Sequence, residues 1–145
     1  MALGALMVGC GSSEEDTAPA ACLATPAGYL TALDRVPEAI RLPGNVPISE
    51  CLVPNQTGGQ LGSVGHSMVI TATRLNAEAR RDPGGPASVE LGYLIGAVSK
   101  GADPIHTDLV RRLNASARFS ETGGTLPASF ERAFGRGYAA GQRSG

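Results

Sequence analysis

Two histidines, His66 and His106, are the residues of this chain best suited to acid–base catalysis or metal binding. Catalysis needs a histidine beside a carboxylate or a nucleophile. Neither histidine has a histidine partner four residues away, and no HExxH motif occurs. Helical periodicity turns His66 away from the apolar face of its segment and places His106 in a first helical turn, where the helix dipole disfavours an imidazolium. We therefore expect structural or surface histidines, with no metal ion and no cofactor.

A polar, glycine-rich loop, Asn55-Gln56-Thr57-Gly58-Gly59, leads directly into a predicted helix. Backbone N–H groups at a helix start can hold an anion, and the amides of Asn55 and Gln56 could bind a sugar or a peptide. The loop is not a P-loop, because no Lys-Ser/Thr follows it and no strand precedes it. Two hypotheses stay open, a ligand-binding loop and a loop that only caps the helix. It is the first candidate for a ligand site.

The other polar residues give little sign of catalysis or of nucleic-acid binding. No G-x-S-x-G motif occurs, and Glu90 and Glu131 are lone carboxylates that we expect on solvent faces. Twelve basic and 13 acidic residues give a net charge of −1, whereas a nucleic-acid surface needs a dense basic stripe. The sequence therefore predicts no nucleic-acid partner. It leaves enzymatic activity uncertain and favours its absence.

The segments that position these residues are predicted to be helices. Thr25-Pro26 indicates a short first helix, because a Thr cap followed by Pro is a common helix start. Residues 42–62 form a long loop rich in Pro and Gly, and Cys51 lies within it. Further helices are expected over about 61–81 and 87–100, from 103 onward, and from 125–127 to Gly141, after which the tail should fray.

Apolar residues recur at steps of three and four in the last four predicted helices, which is the spacing of one helix face. Gly137 lies on the last of these faces and would let a neighbouring backbone approach closely. No segment alternates with period two, so the sequence predicts an all-α fold, an irregular bundle of four main helices plus a short N-terminal helix. The faces consist of Val64, Met68, Thr71, Leu75 and Ala79; Leu91, Leu94, Ile95 and Val98; Ile105, Leu109, Val110, Leu113 and Ala117; and Phe130, Ala133, Phe134, Gly137 and Tyr138.

The first residues form an uncharged apolar run that ends at Gly9 and Cys10 and is followed by the polar, acidic segment 11–16. This order is similar to the lipobox of bacterial lipoprotein precursors. The resemblance implies a signal segment at 1–10, a lipid-modified Cys10 and a disordered tether at 11–21. It also implies attachment to the extracytoplasmic face of the cell membrane, since two or more acyl chains anchor a protein stably. An ordinary buried N-terminal segment followed by a linker is the alternative.

The same resemblance sets Cys10 aside for lipid and implies an oxidising environment for Cys22 and Cys51. Outside the cytosol such a pair normally forms a disulfide, and closing a loop of about 30 residues would stabilise the domain by roughly 3–4 kcal/mol. The long loop would then be pinned to the base of the first helix. Two buried free thiols are the alternative, and no Cys/His spacing indicates zinc.

These features predict one helical domain at 22–145 with a binding or structural role. The chain is expected to be a membrane-anchored extracytoplasmic lipoprotein that contacts the membrane through its lipid and contacts an envelope protein, cell-wall polymer or small ligand through its domain. One alternative is an envelope enzyme that uses His66 or His106 in a folded cleft. The other is a soluble helical protein whose first residues come from a misassigned start.

Overall fold

The computed structural model describes residues 16–118 and 124–145, and over those residues the fold is all-α. A short first helix is followed by four longer ones, as predicted, and 3₁₀ turns occupy Ala20–Leu23, Ile48–Cys51 and Pro104–His106. The helices are α1 (Pro26–Leu33), α2 (Gly58–Arg81), α3 (Pro86–Gly101), α4 (Thr107–Arg118) and α5 (Ala128–Ser144).

Local capping chemistry sets the starts of the first three helices. The Thr25 hydroxyl accepts a hydrogen bond from the Gly28 N–H at 3.3 Å, and α1 begins at Pro26, as expected. Thr57 caps α2 in the same way, so that helix begins at Gly58, three residues before the predicted start. Pro86 occupies the first position of α3.

Helix α3 is the centre of the molecule. Every residue from 91 to 98 is buried, so this part of the helix is surrounded on all sides. Its most extensive contact is with α5, while α2, α4 and the turn Ile48–Cys51 cover its other faces. A helix that is apolar all round has to lie inside the protein, and residues 91–98 contain no charged side chain.

The contact between α3 and α5 is made backbone to backbone. A Cβ added at Gly92 would collide with the carbonyl oxygen of Phe134, and one added at Gly137 would collide with the carbonyl oxygen of Val89. Gly96 and Gly141 lie one turn further along their helices and are equally close to backbone atoms of the partner helix. The close approach predicted at Gly137 is therefore confirmed, and it extends over two turns of both helices.

The end of α5 differs from the prediction. The helix does not stop at Gly141 but continues to Ser144, because Gly141 packs against the backbone of α3 and has no role as a terminator. The following residue is not frayed: Gly145 is buried, and its carbonyl oxygen accepts a hydrogen bond from the Ser49 hydroxyl at 2.6 Å. The Lys100 ammonium also donates to the Arg143 carbonyl at 3.3 Å.

The start of α4 is rotated relative to the prediction. Ile105 was expected on the inner face, but 46% of its surface is exposed, whereas His106 is fully buried. The physical reason is the 3₁₀ turn Pro104–His106, which advances more degrees per residue than an α-helix. From Leu109 onward the inner face is the predicted one, since Leu109, Leu113 and Ala117 are buried.

The described part of the predicted tether, residues 16–21, packs against the helices. Ala18 is buried, and its N–H donates a hydrogen bond to the side-chain oxygen of Gln60 at 3.3 Å. The predicted signal segment 1–10 with Cys10, the tether residues 11–15 and residues 119–123 lie outside the described residues. In the described ranges, none of the helices combines the length and the apolarity needed to cross a membrane.

Replacing Gly137 with alanine should destabilise the domain, because the new methyl group would meet the backbone of α3 and the two helices would have to separate. Overpacking of this kind costs about 1–3 kcal/mol in the free energy of unfolding, which urea denaturation followed by circular dichroism would measure. Gly135→Ala is the matched control, since the space around Gly135 is open to 4 Å in the same helix. That variant should gain about 0.5–1 kcal/mol from helix propensity. Equal effects of the two variants would contradict the backbone contact.

Candidate functional site

The predicted disulfide joins Cys22 to Cys51, and both residues are fully buried. It connects the turns Ala20–Leu23 and Ile48–Cys51 across 29 residues of chain. Tyr29 packs against it, and the Tyr29 hydroxyl donates a hydrogen bond to the Cys22 carbonyl at 2.8 Å. Burial raises the pKa of Tyr29, so this hydroxyl keeps its proton. The long loop is thus attached to the base of α1, as expected.

A buried hydrogen-bond network links the disulfide to the start of α4. The Nδ1 atom of His106 accepts from the Asp103 N–H at 2.9 Å, so the neutral ring must carry its hydrogen on Nε2. Nε2 then donates to the Gln56 side-chain oxygen at 3.3 Å. The Gln56 amide nitrogen in turn donates to the Cys51 carbonyl at 3.2 Å. His106 is therefore a structural residue that aligns three segments of the chain, and both of its nitrogens are engaged.

The predicted ligand loop is divided between structural and exposed positions. Gln56 is only 7% exposed and its amide is used inside the protein, while Thr57 caps α2. Asn55 is exposed and has a φ of 61°, a left-handed conformation that asparagine tolerates better than most residues. Gly58 and Gly59 are exposed, with open space where a side chain would stand. The exposed residues of this loop are therefore Asn55, Thr57, Gly58 and Gly59, and among them the Thr57 hydroxyl is already engaged in the cap.

An open groove of about 350 Å³ begins at this loop and runs between the first turns of α2 and α4. Small residues on α2 create the space, because Gly58, Gly62 and Gly65 bring no side chains into it. Apolar and polar side chains line the groove together. The lining residues are Gly58, Leu61, Gly62, Gly65, His66, Ile105, Asp108, Leu109 and Arg112.

The charges around the groove favour a ligand with polar or anionic groups. Arg112 lines it, and the N-terminal N–H groups of α2 lie at its entrance, where the helix dipole is positive. Asp108 also lines it but forms an ion pair with Arg111. His66 is exposed at the edge, as predicted, and no hydrogen bond joins it to a carboxylate or hydroxyl in the ranges that the structure covers. The groove therefore has the features of a binding surface and lacks a catalytic arrangement built on His66.

Sequence reasoning found Gly58 and His66 in this groove but missed Ile105, Asp108 and Arg112. Ile105 lies in the turn before α4, and Asp108 and Arg112 follow it at steps of three and four, so their spacing was visible in the sequence. Their relation to α2 was not visible, because it depends on how the two helices pack. The signal that could have indicated the groove is the run of glycines in the first two turns of α2, which leaves that helix face without side chains.

Glu90 does not lie on a free solvent face, contrary to the prediction. It is half-buried in α3 and lines a small pocket with Asp34 and Glu78, the first at the end of α1 and the second near the end of α2. Burial, together with the negative charges of Asp34 and Glu78, raises the pKa of Glu90 to about 7. Glu131 is exposed, as expected.

Within residues 16–118 and 124–145, no three His, Cys, Asp or Glu side chains are grouped so that they could hold a metal ion. Comparison with protein-family models, with curated proteins and with solved structures finds no match to this chain.

Protonation of His106 should destabilise the fold. Burial lowers the pKa of His106, and the negative charge of Asp103 opposes that effect only partly. Below about pH 6.5 the His106 imidazole is protonated in the unfolded chain but stays neutral in the folded chain. The free energy of unfolding is therefore highest above that pH and falls as the pH decreases. For one proton, the free energy of unfolding cannot change by more than about 1.4 kcal/mol per pH unit. Urea denaturation between pH 7.5 and 5 should show that the free energy of unfolding depends less on pH in His106→Gln than in the wild type. The exposed control His66→Gln should keep the wild-type pH dependence.

The titration of Glu90 should change the free energy of unfolding with pH in the direction opposite to that of His106. Its pKa is raised in the folded state, so the stability that it contributes is full below about pH 4.5 and is lost as the pH rises towards 7. Glu90→Gln removes this loss, and its melting temperature should exceed that of the wild type at pH 8 but match it near pH 4. The control Glu131→Gln changes an exposed carboxylate and should not raise the melting temperature at either pH. A Glu90→Gln variant that gains no stability at pH 8 would show that Glu90 is solvated.

Proposed function

We propose that this chain is a lipid-anchored extracytoplasmic protein whose helical domain binds another component of the cell envelope. The observation that carries the proposal is the buried disulfide Cys22–Cys51. Structural disulfides form and persist in oxidising compartments, and they are rare in the cytosol. The remaining cysteine of the chain is Cys10, which follows the apolar run and matches the acylated residue of a lipobox.

The position of the first described residues supports a short connection between lipid and domain. Ala18 is already packed against the first turn of α2 through its bond to Gln60. A lipid on Cys10 would therefore be separated from the packed domain by residues 11–17, which can span at most about 30 Å. The groove lies at the same end of α2, since Gly58 and Leu61 line it. The anchor would hold this groove close to the membrane surface.

The groove supports a binding role because it is a concave surface to which Leu61, Ile105 and Arg112 contribute apolar and polar side chains side by side. Ile105 places an exposed aliphatic side chain in it, beside the cationic Arg112. An envelope component with an anionic or polar group and an apolar part would match both features. The 3₁₀ turn Pro104–His106 exposes Ile105, and its side chain is therefore available to contact such a partner.

Anchoring is tested by the intact mass of the protein purified from its own membranes, with and without reductant. We expect the mass of an acylated chain that begins at Cys10 and a gain of two hydrogens on reduction, because one disulfide opens. In cells, Cys10→Ser should move the protein from the membrane fraction to a soluble extracytoplasmic fraction with its disulfide intact. An unmodified Cys10 on a chain that retains Met1 would contradict the proposal.

The binding role is tested with a photo-crosslinking residue at position 105 in the membrane-anchored protein. Position 23 is the matched control, since Leu23 and Ile105 are the large hydrophobic residues that the described part of the chain exposes, at 52% and 46%. We expect a discrete envelope adduct from position 105 that is absent from position 23 and weakened by Arg112→Ala. Identical adducts from the two positions would count against a specific groove.

A further inference from the structure

A buried contact joins the two walls of the groove at the start of α2. Gln56 lies two residues before Gly58, where the α2 wall begins, and His106 is adjacent to Ile105 in the other wall. The Nε2 atom of His106 and the side-chain oxygen of Gln56 are 3.3 Å apart. Both side chains are buried, outside the lining of the groove. The contact therefore holds the two walls together from inside the protein.

This contact requires a neutral imidazole. The Nδ1 atom of His106 accepts from the Asp103 N–H at 2.9 Å, and Nε2 carries the hydrogen that bonds to Gln56. An imidazolium carries a hydrogen on both nitrogens and has no lone pair left to accept a hydrogen bond. Protonation would therefore set two N–H donors, those of Nδ1 and of the Asp103 backbone, against each other. It would also place a charge on a side chain that is 0% exposed, which is unfavourable.

The groups around His106 compensate a positive charge only partly. Asp103, in the same turn, acts on the ring with its negative charge, yet burial keeps the pKa of His106 below its usual value. The loop before α2 faces the ring with the neutral amide of Gln56. A protonated ring therefore gains free energy by moving into water. The other ionisable side chains of the elements at this end are exposed, and they are Glu50 in the turn Ile48–Cys51, His66 on α2, Lys100 on α3, and Asp108, Arg111 and Arg112 on α4.

The short turn that contains His106 can release the ring while the helices stay folded. The 3₁₀ turn Pro104–His106 has three residues, and its geometry buries His106 and exposes Ile105. A rotation of this turn that brings His106 to solvent also moves Ile105 away from its place in the groove. The disulfide still holds Cys51, and the contact between α3 and α5 lies on other helices. Because a local opening needs less free energy than global unfolding, the turn should open at a higher pH than the domain unfolds.

We propose that the contact between Gln56 and His106 makes ligand binding in the groove pH-dependent, because protonation of His106 releases the turn Pro104–His106 and displaces Ile105. One proton passes from solvent to Nδ1, and the hydrogen bonds of both ring nitrogens are lost. The ligand binds the form with a neutral ring, so a bound ligand in turn disfavours protonation. The affinity decreases as the pH falls below about 6.5, by at most about tenfold per pH unit for one proton. This inference rests on the binding role proposed above but not on the lipid anchor.

The test is an NMR titration between pH 7.5 and 4.5 of the full chain with its disulfide intact and with Cys10→Ser, which removes the acylation site. All samples carry His66→Gln, so that His106 is the histidine observed. We expect the amide signals of Gly62 and Arg112, one in each wall, to move with the midpoint of the His106 ring signals.

The signals of Gly92 and Gly137, in the contact between α3 and α5, report global unfolding and should stay in place through this transition. A ring titration that leaves Gly62 and Arg112 unchanged would overturn the proposal. Movement of Gly62 and Arg112 only together with Gly92 and Gly137 would also overturn it, because the whole domain would then be unfolding.

Two variants separate pH control from a purely structural role of the contact. Gln56→Glu places a carboxylate opposite Nε2, so it should raise the midpoint of the ring and of the groove signals together. A groove midpoint that does not follow the ring would contradict the coupling. His106→Gln keeps an amide that can bond to Gln56 and cannot be protonated, so its groove signals should lose this transition. A transition that persists unchanged in His106→Gln would come from other groups, such as Asp108, and would overturn the proposal.

Binding is followed by the photo-crosslink from position 105 in the membrane-anchored protein between pH 7.5 and 5. We expect the yield of the envelope adduct to decrease with falling pH, by at most about tenfold per unit, and to stay constant in His106→Gln. An equal decrease in both proteins would overturn the pH control and leave the binding role intact. No adduct at any pH would instead contradict the binding role itself, and with it this inference.

Discussion

The contact of two helix backbones is the constraint on which the rest of the molecule depends. Glycines on α3 and α5 remove the side chains that normally keep helices 8–10 Å apart, so peptide groups meet directly. This contact fixes α3 on one side and leaves its remaining faces to α2, α4 and the disulfide-bonded turn. The seam between α2 and α4, where the groove lies, exists because those two helices are packed on a common central support.

A second set of interactions ties the irregular part of the chain to this support. The loop between α1 and α2 contains little regular structure, yet Ile48, Cys51 and Leu52 are part of the core. The disulfide fixes the loop at Cys51, and the contact between Gln56 and His106 fixes it again just before α2. Since Gln56 precedes the cap of α2 and His106 precedes α4, one buried network sets the relative position of both helix starts. His106 therefore helps to determine the shape of the groove, although it does not line it.

The parts of the fold that the sequence predicts are those encoded locally. Thr25 and Thr57 lie three residues before the N–H groups that they cap, and the buried face of α2 is visible as a spacing of three and four. The rest depends on tertiary geometry. The rotation that buries His106 and exposes Ile105 comes from one 3₁₀ turn, whose residues have no distinctive spacing of their own. Gly141 is a residue type that commonly ends a helix. Its packing against the backbone of α3, which the sequence does not reveal, explains why α5 continues past it.

The candidate site shows the same division. Gly58 and His66 could be selected from residue type and position, since one opens a helix and the other is a titratable side chain outside the apolar face. Arg112 could not be selected, because its importance arises from what lies across the seam between α2 and α4.

The paired glycines also restrict how this protein can diverge. Most core positions tolerate exchange among aliphatic side chains, whereas a position at which a carbonyl oxygen occupies the place of the Cβ accepts only one amino acid. Gly92, Gly96, Gly137 and Gly141 should therefore persist while surface and even core residues drift. Distant descendants of the same ancestor would be recognisable by two Gly-x-x-x-Gly segments at this separation, downstream of two cysteines, after other traces of common origin have faded.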